Sequence, residues 1–137
     1  MPPPPRLFSL VIFHVPIMDK LIPTNNRARI TFDEFSKIEV KIGTVRNAER
    51  VPETDKLLQL MVDFNEESGT RQIVSGIAMY VPEPESLVGR QFAFVTNLEP
   101  RTIRGLESNG MLFAVGVGES FAFLAPDRVV PSGTSAH

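Results

Sequence analysis

Alternating apolar and polar side chains constrain the fold of this chain more than any other feature of its sequence. Residues 38–42 place isoleucine and valine at every second position with charged residues between them, and residues 58–64 repeat the pattern with leucine, valine and phenylalanine. A period of two is typical of β-strands that bury one face. Four later segments are rich in apolar and β-branched residues. This composition predicts further strands at residues 70–75, 90–96 and 111–117, and a last hairpin at residues 121–124.

Short strands separated by turns, with few helical stretches, indicate an all-β domain, either a small barrel or a sandwich. For a region of about 105 residues, a five-stranded oligonucleotide/oligosaccharide-binding (OB) barrel with short helical turns is the natural candidate. Gly43, inside the first strand, predicts a bend or bulge where a barrel strand turns a corner. Thr31 is expected to cap a short helical turn in which Phe32 and Phe35 point toward the core.

Residues 1–29 differ in composition from the rest, and we assign them to an extended N-terminal tail, Pro-rich and apolar, that precedes the barrel at residues 30–137. Pro2–Pro5 favour polyproline II. The apolar run 7–15 is far shorter than the roughly 18–20 residues needed to span a bilayer. A weak signal peptide, an extension upstream of a start at Met18, and a segment that packs on a partner or a second copy all remain compatible with this sequence.

Charge and composition narrow the function classes. Lys and Arg number 14 against 16 Asp and Glu, so any binding to nucleic acid must come from a local basic patch. Cysteine is absent, and the only histidines are His14 and His137, which leaves no thiolate zinc site and no basis for a histidine-dependent triad. Glycine-rich phosphate-binding loops are also missing. These absences remove the usual catalytic equipment, although the carboxylates leave an enzyme open; we expect no catalytic residues, no metal and no cofactor.

The connector at residues 97–111 is much longer than the usual strand-to-strand link of about two to five residues. It carries Arg101, Arg104, the helix breaker Gly105, and Ser108. Long structured loops on a rigid scaffold often hold binding residues. The alternative is a cover over the end of the barrel, with Leu98, Ile103 and Leu106 as its apolar plug.

Several blocks, in this order, resemble the tRNA-binding domain family over about residues 30–133. They are Asp33-x-Phe35-x-Lys37-Ile38-x-Val40, Ile42-Gly43-Thr44-Val45, Asp55-Lys56-Leu57, the run 71–77, the run 87–90, Asn97-Leu98-x-Pro100, and Arg104-Gly105-x-Glu107-Ser108-x-Gly110-Met111. That family is found at the carboxy end of many methionyl-tRNA synthetases, in free-standing tRNA-binding proteins and in the chaperone-like CsaA branch.

The resemblance implies an OB barrel that binds tRNA through its overall shape and backbone, with little sequence preference. The residues that it implies for RNA binding are Asn97, Arg101, Arg104, Ser108 and Met111 from the connector, with Arg71, Lys41 and Lys56 extending the patch. It further implies a cytoplasmic homodimer, with tRNA and an aminoacyl-tRNA synthetase as partners and no membrane. The synthetase signatures HIGH and KMSKS are absent, so the chain is not expected to be an enzyme.

Each of these assignments has a structural alternative. Asn97 and Ser108 are equally suited to hydrogen-bonding the connector to itself, Met111 to the core, and Lys41 to a solvated strand face. Glu99 stands where members of the family often carry lysine, which places an acid inside the proposed patch. The alternative functions are a peptide-binding secretion chaperone of the CsaA type and a purely architectural subunit that docks on a synthetase.

Overall fold

The computed structural model describes residues 27–137, of which residues 32–137 form one compact unit. Residues 1–26, which include Pro2–Pro5 and the apolar run 7–15, lie outside the described residues. The predicted boundary between tail and barrel at residue 29 stays a prediction. The regular elements are a helical turn α1 (Phe32–Phe35) and strands β1 (Val40–Arg50), β2 (Leu58–Asp63), β3 (Arg71–Ser75), β4 (Gln91–Val95), β5 (Arg101–Ile103), β6 (Leu106–Ser108), β7 (Met111–Leu112), β8 (Ala114–Val115) and β9 (Ala122–Phe123). Short 3₁₀ turns occupy Ala78–Tyr80, Pro84–Leu87 and Gly118–Ser120.

Five antiparallel strands form one sheet in the order β3-β2-β1-β4-β7. The length of β1 organises it, because residues 40–44 pair with β4 while residues 44–50 pair with β2. The ends of the sheet approach each other where Asn109 N–H donates to Gln72 O at 2.8 Å. The result is a nearly closed barrel, and the predicted all-β, five-stranded OB-like fold is confirmed.

The bulge in the first strand does not lie at Gly43, where it was predicted. The pairing of β1 with β2 shifts register between Val45 and Asn47, so Arg46 is the bulged residue. At Gly43, an added Cβ would lie 2.6 Å from Cε1 of Phe64. Close packing against the barrel interior, rather than a bulge, therefore requires glycine at this position.

The core confirms the alternation in β2, where Leu58, Leu60 and Val62 are each fully buried. Phe94 from β4 meets Phe64 edge to face, with ring centroids 5.4 Å apart. Burial of each such side chain stabilises the fold by about 1.5–3 kcal/mol. The barrel interior thus supplies a rigid support for the connector at its end.

The prediction that Phe32 and Phe35 point into the core is wrong, since 78% and 56% of their surfaces remain exposed. The spacing of three places both rings on one face of α1, as expected. The barrel interior is already filled by residues of β1 to β4, so that face has no core to enter.

Candidate nucleic-acid interface

The connector predicted as a long loop contains a β-hairpin. Strands β5 and β6 pair Arg101 with Ser108 and Ile103 with Leu106, which leaves only Arg104 and Gly105 in the turn. Their φ angles are 52° and 82°. Two-residue hairpin turns of type I′ need positive φ at both positions, which glycine accepts without strain. The turn therefore presents the exposed Arg104 side chain at the tip of the hairpin.

Ser108 attaches this hairpin to the barrel. Its hydroxyl is buried, with 4% exposure, and accepts a hydrogen bond from Val74 N–H of β3 at 3.0 Å. The same hydroxyl donates to Gly110 O at 3.3 Å. Ser108 thus closes the barrel between β3 and β6, and its oxygen is occupied within the chain.

Asn97 uses both ends of its side-chain amide within the chain. The Nδ2 group donates to Lys37 O at 2.6 Å, and Oδ1 accepts from Glu39 N–H at 2.9 Å. These bonds join the end of β4 to the segment that leads into β1. Asn97 therefore fixes where the connector begins.

Arg71 is held by a bidentate ion pair. Its Nε and Nη2 donate to the two carboxylate oxygens of Glu66 at 2.9 and 2.7 Å, and Nη1 donates to Thr96 O at 2.8 Å. The guanidinium also lies 5.3 Å from the ring centre of Phe64. The hydrogen bond from Arg71 lowers the pKa of Glu66 and, reciprocally, raises the pKa of Arg71. With all three nitrogens engaged, Arg71 ties the β2–β3 turn to the end of β4.

Lys41 lies on β1, where its ammonium is 3.9 Å from a carboxylate oxygen of Glu39 and a quarter of its side chain is exposed. Its positive charge also contributes to the lowered pKa of Glu66. Lys41 therefore belongs to the charge network around Arg71 rather than to the hairpin.

Lys56, Arg101 and Arg104 differ from Arg71 and Lys41 in having no partner for their charges among the described residues. All three are exposed, and none makes a side-chain hydrogen bond or ion pair with another residue in the range 27–137. Lys56 and Arg104 line one open cleft, which Asp55 also borders. Arg101 stands on β5 of the same hairpin. We call these three side chains the hairpin cations, and their donors are available to an external anion.

Met111 is not a core residue, since 45% of its surface is exposed. It lies between two concave surfaces. One is a small cavity that it shares with Glu99 and Arg101. The other is an apolar groove of about 440 Å³, lined by Phe35, Ile38, Val40, Val95, Leu98, Met111 and Phe113, with Lys37 and Asn97 at its edge.

Sequence reasoning missed both of these surfaces. Glu99 was visible as an acid among cations, but its position in a cavity with Arg101 depends on the pairing of β5 with β6. The apolar groove combines α1 with residues of β1, β4 and β7, which are distant along the chain. Phe35 of α1, which was expected in the core, lines this groove instead.

No group of three or more His, Asp or Glu side chains among residues 27–137 is arranged to hold a metal ion. Within the same residues, no helix has the length and apolar character needed to cross a membrane.

Comparison with known proteins identifies relatives of this barrel. Methionine–tRNA ligase of Methanothrix thermoacetophila is 50% identical over 105 residues, which make up 76% of this chain but only 15% of the ligase. The MetRS-related protein from Pyrococcus horikoshii has a TM-score of 0.73 and 38% identity, covering 81% of this chain and 100% of that protein. Chaperone CsaA from Bacillus anthracis has a TM-score of 0.68 and 31% identity, covering 80% of this chain and 100% of the chaperone.

The residues that match a known family model are those of the barrel. The family model described as a putative tRNA binding domain matches residues 40–135, from the start of β1 to the segment that pairs with Lys41 near the end of the chain. The chain belongs to the putative tRNA binding domain family.

Proposed function

We propose that this chain is a non-catalytic module that binds tRNA by shape and backbone contacts, with the hairpin cations as its phosphate ligands. The observation that carries this proposal is that Lys56, Arg101 and Arg104 are exposed and unpaired among the described residues while Arg71 is fully engaged. A guanidinium suits phosphate because its planar fork offers two parallel donors. Membership in the putative tRNA binding domain family indicates that the nucleic acid is tRNA.

The other predicted residues take supporting roles in this proposal. Asn97, Ser108 and Arg71 position the hairpin through the hydrogen bonds described above. Lys41 adds positive charge beside that network, and Met111 offers an exposed apolar surface to a sugar or base.

We also propose that two copies associate through the apolar groove. Phe35, Leu98 and Phe113 of this groove each leave more than 40% of their surface exposed, and burying these side chains against a second copy would remove apolar surface from water. A two-fold contact would double the hairpin cations presented to one tRNA, so that a local patch can bind RNA although each copy carries a net charge of −2. Sedimentation velocity should show a dimer that Leu98→Asp with Phe113→Asp converts to a monomer.

The setting we propose is the cytoplasm, where the module assists or forms part of an aminoacyl-tRNA synthetase, methionyl-tRNA synthetase above all. Relatives named methionine–tRNA ligase support this partner, although the chain spans only 15–17% of their length. Co-purification from native lysate with and without ribonuclease would test the association, since a synthetase partner should remain bound after the RNA is digested.

Fluorescence anisotropy with labelled tRNA tests the binding proposal. Arg101→Ala with Arg104→Ala should weaken binding roughly tenfold to a hundredfold, because two phosphate contacts are lost. Arg128, which is 84% exposed in its side chain and lies outside the hairpin, provides the control for loss of one exposed arginine elsewhere on the surface. A double variant that binds tRNA as tightly as the Arg128→Ala control would overturn the proposal.

Peptide binding is the second candidate function, and the apolar groove is the observation that favours it. The groove is lined almost entirely by apolar side chains, as peptide-binding grooves often are. A chaperone of this type should bind an apolar peptide with an affinity that Arg101→Ala with Arg104→Ala leaves unchanged. Leu98→Asp with Phe113→Asp should abolish that binding.

A further inference from the structure

The small cavity between β3 and the β5–β6 hairpin has an unusual lining. Its volume is about 70 Å³, and Glu99 and Arg101 border it together with the apolar side chains of Val74, Leu98 and Met111. The carboxylate of Glu99 and the guanidinium of Arg101 do not pair with each other, and neither makes a side-chain hydrogen bond or ion pair with another residue of the described range 27–137. Two opposite charges that border one cavity without neutralising each other leave both hydrogen-bonding capacities free for a ligand.

The size of the cavity limits what can enter. Since a water molecule takes up about 30 Å³, the space corresponds to two or three waters, enough for the edge of a planar ring but not for a whole nucleoside. Leu98 and Met111 line this cavity as well as the apolar groove, so one part of each side chain can contact the face of such a ring while another part lines the groove. A flat group whose edge carries donors and whose substituent carries an anion would match both the walls and the charges.

We propose that this cavity accepts the Watson–Crick edge of an unstacked guanine, with Glu99 as the base-reading residue and Arg101 bound to the adjoining phosphate. An ionised carboxylate has two acceptor oxygens and no donor. Guanine alone among the four bases presents two neighbouring donors, N1–H and the 2-amino group, which two carboxylate oxygens can accept side by side. Adenine and cytosine place a ring acceptor beside their amino group, and uracil flanks its single donor with two carbonyls, so each would direct a lone pair at Glu99.

This inference rests on the proposed RNA-binding function and adds one base preference to recognition that otherwise follows shape. Sequence-specific contacts to RNA are usually made to unpaired bases in loops and ends, whose Watson–Crick edges are accessible. The Glu99 carboxylate repels phosphate and so weakens general phosphate binding near Arg101. In the proposed complex, its two hydrogen bonds to guanine offset that repulsion for this base. The same carboxylate also disfavours any strand that brings only phosphate to this cavity.

The test uses competition against labelled tRNA with short uridine oligoribonucleotides that carry one central guanosine, inosine, adenosine or cytidine. Inosine keeps N1–H but lacks the 2-amino group, so it removes one of the two proposed bonds. The guanosine oligonucleotide should bind roughly tenfold more tightly than the inosine one, in line with loss of one hydrogen bond to a charged group. Equal affinity of the two oligonucleotides would overturn the inference.

Two variants isolate the carboxylate. Glu99→Gln replaces an acceptor pair with one acceptor and one donor, so the guanosine-to-inosine ratio should fall to about one. Glu107→Gln removes the same charge from β6 outside the cavity and should leave the ratio unchanged. The ratio is the readout because either variant removes a negative charge and so strengthens the non-specific electrostatic part of binding for all four oligonucleotides, a change that cancels in the ratio.

The outcomes separate this inference from the proposed function. If tRNA binding depends on Arg101 and Arg104 but no base preference exists, the function stands and the inference fails. If tRNA does not bind at all, both fail. If a lysine-containing peptide displaces the guanosine oligonucleotide and loses its own binding in Glu99→Gln, the cavity belongs to a peptide and the inference is overturned.

Discussion

Two groups of polar side chains lie on or beside the β5–β6 hairpin. One group is hydrogen-bonded within the described part of the chain, and the other is not. Arg71, Asn97 and Ser108 donate to or accept from backbone groups of other elements, and Arg71 is paired with Glu66 as well. We call these three residues the positioning cluster. The hairpin cations, Lys56, Arg101 and Arg104, have no such partner among residues 27–137. Residue type alone does not separate the groups, because each contains arginine.

The difference indicates a division of labour. Removing a side chain that holds the hairpin destabilises the fold, because its hydrogen-bonding partner is left unsatisfied. Groups that are unpaired in the free protein can be removed with little effect on the fold, and any effect should appear in binding. Variants in the two groups should therefore separate stability from affinity.

Arg71→Ala should produce the largest loss of stability, about 3 kcal/mol. The variant leaves the Glu66 carboxylate without its bidentate partner and Thr96 O without a donor in a largely buried setting. Urea unfolding measures the change, with Arg104→Ala as the matched arginine deletion from the hairpin cations. Equal stability of the two variants would contradict the division.

Ser108→Ala should destabilise the fold by about 2 kcal/mol, because the buried N–H of Val74 loses its acceptor. Ser68 lies exposed in the β2–β3 turn, so Ser68→Ala is expected to change the free energy of unfolding by less than about 0.5 kcal/mol. The pair distinguishes a hydroxyl that closes the barrel from one in solvent. A Ser108→Ala variant as stable as the wild type would remove Ser108 from the positioning cluster.

A smaller effect is expected from pH. The Arg71 hydrogen bond lowers the pKa of Glu66 in the folded state below its ordinary value of 4.5. The unfolded state therefore binds more protons at this site in acid, so the contribution of Glu66 is complete above that ordinary pKa and is lost as pH falls through the folded pKa. Unfolding free energies measured from pH 7 down to pH 3 should fall less steeply in Glu66→Gln than in the wild type. Parallel profiles would show that the ion pair adds no acid sensitivity.

The alternation of side chains was sufficient to predict the strands, because Leu58, Leu60 and Val62 obey a local rule that does not depend on the rest of the chain. The errors arise where a local pattern needs a distant partner. The spacing of Phe32 and Phe35 sets a common face but does not say what that face contacts. Gly43 marks a position where a side chain would not fit, but the reason, the side chains of Val62 and Phe64, lies in and just after another strand.

The site shows the same limit. The resemblance singled out Arg104 for RNA binding, but the two-residue turn that exposes it depends on the pairing of β5 with β6, which was not predicted. Asn97 could not be assigned to positioning, since its partners Lys37 and Glu39 are 60 and 58 residues away in sequence. The sequence likewise gave no sign that Glu66 would engage Arg71, because short-range charge pairs are common on surfaces and seldom bidentate.

The salt dependence of tRNA affinity, measured on the wild type and on Arg101→Ala with Arg104→Ala, tests the central claim most directly. Each phosphate contact contributes roughly 0.7–0.9 to the slope of log affinity against log salt. The account predicts that the double variant loses about 1.5 from the magnitude of that slope while its unfolding free energy stays within about 0.5 kcal/mol of the wild type. An unchanged slope, with tRNA still bound, would show that the hairpin cations are not the phosphate ligands.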